Sequence, residues 1–196
     1  MDTTIGLKDL YYAPITEGAN GYETYGTPVR LAPVISAGLT VDSETATLDA
    51  DDKIEDQFSH IKSGKLTLSI SALGATAAAA LTGAHIDEND ALVDSEFDKA
   101  PPVAIGFRSL TSKGTYQYVW LYRVVFAPTG GSYSTKKRNE NITFNSPSIE
   151  GTFTPRNKPD SKGRYPWRIS CTDIETSQLV EDWFDAVPEP LWPSGT

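Results

Sequence analysis

Cysteine and histidine are nearly missing from this 196-residue chain, and their scarcity removes several chemistries at once. A single cysteine, Cys171, excludes an intramolecular disulfide. Such usage suits synthesis in a reducing cytosol. No electropositive surrounding marks that thiol as reactive, and it is read as an ordinary buried or half-buried side chain. The two histidines, His60 and His85, stand at no metal-ligand spacing to each other or to Cys171. There is no G-x-S-x-G elbow, no Walker loop and no G-x-G-x-x-G. No run approaches the ~18 apolar residues of a membrane span. "MDTTIGLKDL" has neither a basic nor an apolar leader region, so no secretory signal is expected there.

Positive charge is also scarce. Seventeen Lys and Arg face 26 Asp and Glu, a formal net charge of −9. That balance argues against general attraction to nucleic acid through phosphates. "KKR" (136–138) is the densest basic run and reads as a solvated loop. The densest acidic run holds Asp49, Asp51, Asp52, Glu55 and Asp56. Its D-x-D-D start lacks the glycine and the glutamate that a calcium loop needs, so it reads as a solvated or partner-facing loop. Abundant carboxylates are all that favour a hydrolase; no catalytic residue, cofactor or metal site is assigned.

What the chain does have is strand pattern. Residues 1–28 read as an irregular arm with a short strand at Leu10–Ala13. Val29–Ile35 reads as the first core strand, set at an edge or bulge by Pro33. A long, mostly polar strand follows over 38–50, then an unpatterned connection to about residue 63. "KLTLSISAL" (65–73) alternates cleanly. "GATAAAALTGA" predicts a helix over 74–82 with Gly83 as its C-cap. A turn or small hairpin is expected around Glu88–Asp90. Residues 102–112 and 116–128 form a hairpin about Lys113-Gly114. Further strands are expected over 142–155 and at "RISCTD", and a C-terminal helix over 173–187 capped by Asp173.

"YQYVWLYRVVFAP" (116–128) places Tyr116, Tyr118, Trp120, Tyr122, Val124 and Phe126 on one strand face. Val119, Leu121 and Val125 lie on the other, which must also be covered. The aromatic row is weighed as core filling over a sugar- or base-stacking platform.

Four stretches in order carry a family resemblance. "GLKDLYYAPITEG" with "YETYGTPVRLAPVISAGLTV" resembles the N-terminal arm and first strands of the major tail proteins, the tail-tube subunits, of long-tailed siphophages of Gram-positive hosts. "KSGKLTLSISALGATAAAALTGAHID" is similar to that family's strand and central helix. "PPVAIGFRSLTSKGTYQYVWLYRVVFAP" resembles its hairpin, and "ITFNSPSIEGTFTPR" its following strand. The likeness spans about residues 6–170.

The resemblance implies a mainly β fold: a β-sandwich or barrel with one central α-helix, a long inter-strand loop and a C-terminal helix or extension. The division is then 1–28 as arm, 29–172 as the β domain and 173–196 as C-terminal helix and Pro-rich tail. It further implies homohexameric rings stacked into a hollow tube within the virion, made in the host cytoplasm. The tube encloses the tape-measure protein, meets tail terminator and distal tail proteins, and passes DNA without specific binding; no membrane insertion is implied.

On that basis the face with Val119, Leu121 and Val125 is expected under the helix or an adjoining subunit. The 49–63 loop is expected to reach another subunit through Ile54, Phe58 and Ile61. The N-terminal arm, with Leu10, Tyr11 and Tyr12, is expected to do the same. The acidic balance suits a DNA conduit, with Glu44 a candidate for the bore. The alternative is a monomeric carbohydrate-binding β-sandwich of a tail tip or decoration protein, using Tyr116, Tyr118, Trp120 and Tyr122.

Overall fold

Alternating side chains between Gly- and Pro-containing turns do build strands along most of the chain. In the computed structural model these are β1 (Thr4–Glu17), β2 (Glu23–Tyr25), β3 (Val29–Arg30), β4 (Val34–Ala50), β5 (Lys53–Ile70), β6 (His85–Ile86), β7 (Leu92–Val93), β8 (Val103–Thr111), β9 (Tyr116–Phe126), β10 (Ser148–Phe153) and β11 (Arg168–Thr172), with helix α1 (Ala75–Thr82) between β5 and β6. The structure describes residues 3–50, 53–128, 130, 146–172 and 182–192, with backbone alone over 46–50 and 53–57. Among them the fold is mainly β. One antiparallel sheet runs β2-β1-β8-β9-β10-β5-β4, with β11 also on β9 and β3 also on β1. A separate small hairpin pairs β6 with β7. β4 comes to lie beside β1, so the sheet curls round its apolar inner face.

That inner face is the larger core. It gathers Leu10 and Tyr12 of β1, Leu66, Leu68 and Ile70 of β5, Ile105 and Phe107 of β8, and Val119, Leu121, Val124 and Phe126 of β9. Helix α1 closes it with Leu81, helped by Ala77 and Ala80. Its alanines let the helix lie close to the sheet. Gly83 ends it in the left-handed region at φ 81°, its N–H donating to the Ala79 carbonyl at 2.9 Å. A Cβ on Gly83 would meet the Lys99 carbonyl oxygen at 2.3 Å.

β8 and β9 are buried on both sides along most of their length, and a bulge decides which side chains go where. Ile105 faces Leu121, but Val103 faces Val124, so Ala104 opposes both Tyr122 and Arg123. The extra residue reverses the alternation beyond it. Tyr118, Trp120 and Tyr122 therefore point to a second core, whereas Val124 and Phe126 join Val119 and Leu121 in the first. The single aromatic face expected over 116–126 is split at this point.

The second core answers what covers the strand's other side. Residues 182–188 cross the aromatic face, with Trp183 fully buried and Val187 nearly so. The described part of the expected C-terminal helix, 182–187, is turn, bend and irregular chain rather than helix; its remainder, 173–181, lies outside the described residues.

Three further expectations are corrected. The N-terminal segment is no irregular arm: β1 runs fourteen residues and pairs with β8 from Thr4↔Thr111 to Pro14↔Val103. Its apolar content, rich in Leu and Tyr, was masked by interspersed Gly and Pro. The expected strand 29–35 is interrupted at Pro33, which separates β3 from β4. The connection read at 49–63 is strand throughout its described part, paired to β4 as far as Ala50↔Lys53. Helix α1, the β6–β7 hairpin, the β8–β9 hairpin, β10 and β11 stand where the sequence placed them; residues 142–145 of the fourth expected strand lie outside the described residues.

Candidate functional site

The most unusual element is the β4–β5 ribbon. β5 pairs with β10 only from Gly64 to Ser69. Beyond Gly64 the two strands pair with each other, from Val41↔Gly64 out to Ala50↔Lys53. At ~3.3 Å per residue that is an arm of roughly 30 Å. Asp42, Ser43, Glu44 and Thr45 are all exposed, as are Phe58, Ser59 and His60. Both faces are wet there, so the ribbon stands clear of the sheet.

Gly64 is the point of departure. A Cβ there would meet Phe153 Cζ at 2.2 Å and the Thr40 carbonyl oxygen at 2.4 Å. The Phe153 ring occupies that space and stacks on Trp167, with centroids 5.1 Å apart. The arm itself is held by cross-strand contacts. Glu44 lies 4.0 Å from His60 and 3.9 Å from Lys62. The Thr45 hydroxyl donates to Ser59 at 3.3 Å, and Phe58 stacks on His60 at 5.8 Å. Such pairs contribute roughly 0.2–1 kcal/mol each, and a lone two-stranded ribbon is marginal in water.

The residues expected at assembly contacts divide three ways. Leu10, Tyr12, Val119 and Leu121 are closed inside the chain's own core and reach no other surface. Tyr11 is half-buried and stacks on Phe184 at 4.6 Å. On the surface stand Phe58, 67% exposed, and Val125, 37% exposed, with Ile61 half-buried at the base of the arm. The side chains of Ile54, Asp49, Glu55 and Asp56, and residues Asp51 and Asp52 altogether, lie outside the described residues.

The aromatic row does not form a platform. Trp120 and Tyr122 are fully buried and Tyr118 nearly so. The Trp120 indole donates to the Trp183 carbonyl at 2.9 Å, and the Tyr122 hydroxyl donates to the Pro188 carbonyl at 2.9 Å. Tyr122 lies under the guanidinium of Arg156, itself buried, at 4.6 Å. Arg156 pairs with Glu189 at 2.8 Å, and Lys158 pairs with the other carboxylate oxygen at 2.7 Å. Burial pushes the Tyr122 and Tyr25 phenols well above their ordinary range, with the Glu23 charge adding to the effect on Tyr25. Partial burial would raise Glu189, but the Lys158 hydrogen bond and the adjacent Arg156 charge outweigh it and hold the carboxyl below its usual range. The buried Glu23 carboxylate pairs with Arg123 and accepts from the Asn157 N–H at 3.3 Å, tying β2 to the segment after β10.

Beside this strap lies an open groove of about 690 Å³, lined by residues 164–170, Asp160 and 189–192. Asp160 organises it. One carboxylate oxygen accepts from the Lys162 and Arg164 N–H groups at 2.9 Å each. The other accepts from Arg164 Nε at 3.3 Å and from the Trp192 indole at 3.1 Å. Partial desolvation works against ionisation, but these donors prevail and keep the Asp160 carboxyl low. Arg164 stacks over Trp192 at 3.8 Å and Arg168 over Trp167 at 4.6 Å. The sequence signal for this region was present: residues 156–168, "RNKPDSKGRYPWR", hold five Lys or Arg and one Asp in an otherwise acidic chain.

Among the described residues no group of three or more His, Cys, Asp or Glu is placed to hold a metal, and no helix is long and apolar enough to cross a membrane. Comparison with protein-family models and with curated proteins gives no match.

Proposed function

We propose that the chain is a structural protein, the tube-forming subunit of a siphophage tail. Copies close into hexameric rings, the rings stack, and the resulting channel holds the tape-measure protein before DNA passes through it. Terminator and distal tail proteins cap its two ends. The role is mechanical rather than catalytic, and its place is the virion.

The observation that carries this reading is the arm. A paired ribbon about 30 Å long leaves the sheet at Gly64, and its described side chains at 41–45 and 58–60 are exposed and stand outside the subunit's own core. Its cross-strand contacts hold it only marginally. Such an element gains most of its stability against a second molecule. The ordered resemblance over residues 6–170 supplies the identity of that second molecule as another copy. β4 is also a sheet edge, which a neighbour's strand can complete. The net charge of −9 suits a channel from which phosphate must slide free.

Size-exclusion chromatography with negative-stain microscopy of the concentrated protein tests it. Hollow rings and stacked tubes are the expected result. A chain that stays monomeric at every concentration and ionic strength overturns the reading.

A further inference from the structure

We propose that the groove beside Trp192 receives the turn that displays Phe97 on a second copy of the chain. The inference rests on the tube reading and adds to it a defined contact. Three observations meet here.

The first is an apolar knob. Phe97 is 85% exposed, on a turn fixed by its own hydrogen bonds. The Ser95 N–H donates to the Asp98 carboxylate at 2.7 Å, and the Asp98 N–H donates back to the Ser95 carbonyl at 3.1 Å. The Phe97 N–H donates to the Ser95 hydroxyl at 3.4 Å. Ile86 and Val93 of the β6–β7 hairpin are exposed as well. A phenyl ring held out in water on a preformed turn loses little further freedom when it docks. The groove offers about 690 Å³ walled by Tyr165, Pro166, Pro190, Leu191 and Trp192, of which Leu191 is 89% exposed.

The second is charge. Residues 85–99 carry six carboxylates and one lysine. Asp87 and Asp98 are engaged in their own turns. Glu88, Asp90, Asp94 and Glu96 are exposed, and among the described residues none of them has a cation partner. Residues 156–168 carry five cations and one carboxylate, the inverse composition. There the acids are already engaged: Asp160 by four donors and Glu189 by Arg156 and Lys158. Lys162 rests on the Trp192 indole and Arg168 on that of Trp167, and among the described residues neither has a carboxylate partner. Positive charge is left over at the groove and negative charge at the knob, on a chain whose net charge of −9 would otherwise drive copies apart.

The third is placement. The β6–β7 hairpin packs on α1, the helix that closes the larger core. The groove is built instead from β11, the segment before it and the end of the strap over the second core. Knob and groove both stand open in the single chain, so joining them takes another copy. A contact between two different surfaces is head-to-tail, the kind that closes rings or propagates into a stack.

The test is a charge swap in the full chain. Lys162→Glu with Arg168→Glu reverses the groove while sparing the Asp160–Arg164 loop. Glu88→Lys, Asp94→Lys and Glu96→Lys reverse the knob while sparing Asp87 and Asp98, which shape its turns. Phe97→Ala removes the ring alone. Denaturant unfolding confirms that each variant folds, and microscopy and light scattering read the concentration at which tubes form. Each charge set alone is expected to raise that concentration roughly tenfold or more, because like charges then face each other. Phe97→Ala is expected to raise it about tenfold, as truncating a docked aromatic anchor does. Combining the two charge sets restores assembly to near the wild-type value. Tubes that form equally well from Phe97→Ala or from either single charge set, or a combined variant that does not recover, overturn the groove contact and leave the tube reading standing. A wild-type chain that never assembles overturns both. Unchanged assembly with lost retention on an acidic polysaccharide would assign the groove to an anionic glycan and also overturn the proposal.

Discussion

Replacing Trp183 by alanine should be the most costly single change outside the larger core. Trp183 is fully buried, its ring lies 5.7 Å from that of Tyr118, and its carbonyl receives the Trp120 indole N–H. A buried tryptophan removes roughly 150–250 Å² from water. At about 25 cal/mol per Å² this is ~4–6 kcal/mol, and truncation of such a residue to alanine typically costs about 3–5 kcal/mol. A chain of this size loses roughly 2–4 °C of Tm per kcal/mol, so a drop on the order of 6–20 °C is expected. Trp183→Phe separates packing from hydrogen bonding. The Trp183 indole N–H is buried without a partner among the described residues, so phenylalanine removes an unsatisfied donor along with some volume. It should cost less than about 2 kcal/mol. Urea unfolding followed by tryptophan fluorescence measures both, and Trp120 reports exposure of the aromatic face. If Trp183→Ala unfolds within about 1 kcal/mol of the wild type, residues 182–188 do not seal the second core and the account of that face is wrong.

Gly64→Ala should destabilise by about 1–3 kcal/mol, because its methyl must displace the Phe153 ring and the β4 backbone; an unchanged denaturation midpoint would show that the arm does not leave the sheet there. Lowering pH should loosen the C-terminal strap. Glu189 is held below its ordinary value, so its stabilisation is present above the unfolded pKa and fades as pH falls through the lower folded one. Glu189→Gln should remove that fluorescence-detected acid transition, and its persistence would assign it elsewhere. In the unassembled chain, amides of 42–50 and 53–63 should exchange much faster than those of 64–70, which β10 and the core protect; equal protection would contradict a free-standing arm.

The parts legible in the sequence were those whose own residues enforce them. Alternation in Leu66, Leu68 and Ile70 fixed the inner face of β5, and the alanine run with Gly83 fixed α1. Lys113-Gly114 fixed the β8–β9 turn. Two parts escaped for physical reasons. The bulge at Tyr122–Arg123 is set by register against β8, and no composition marks it, so the aromatic row ran on in the sequence past the point where it changes faces. The arm was hidden because Asp, Glu, Lys and Ser interrupt both of its strands in the sequence and leave no apolar period to read. Tyr12 and Leu121 were taken for contact residues because a strand sealed on both sides by its own chain looks, in sequence, like one sealed by a neighbour. The cation-rich stretch 156–168 could have been found by charge counting, but its meeting with Trp192 required the fold.

The central claim is that the arm joins one copy to another. Replacing residues 43–61 by Asn-Gly shortens the ribbon near Gly64 while leaving both cores whole. Negative-stain images of concentrated wild type and of this variant decide the matter. The account predicts stacked hollow tubes from the first and a folded, unstacked chain from the second; tubes of equal yield from both would contradict it.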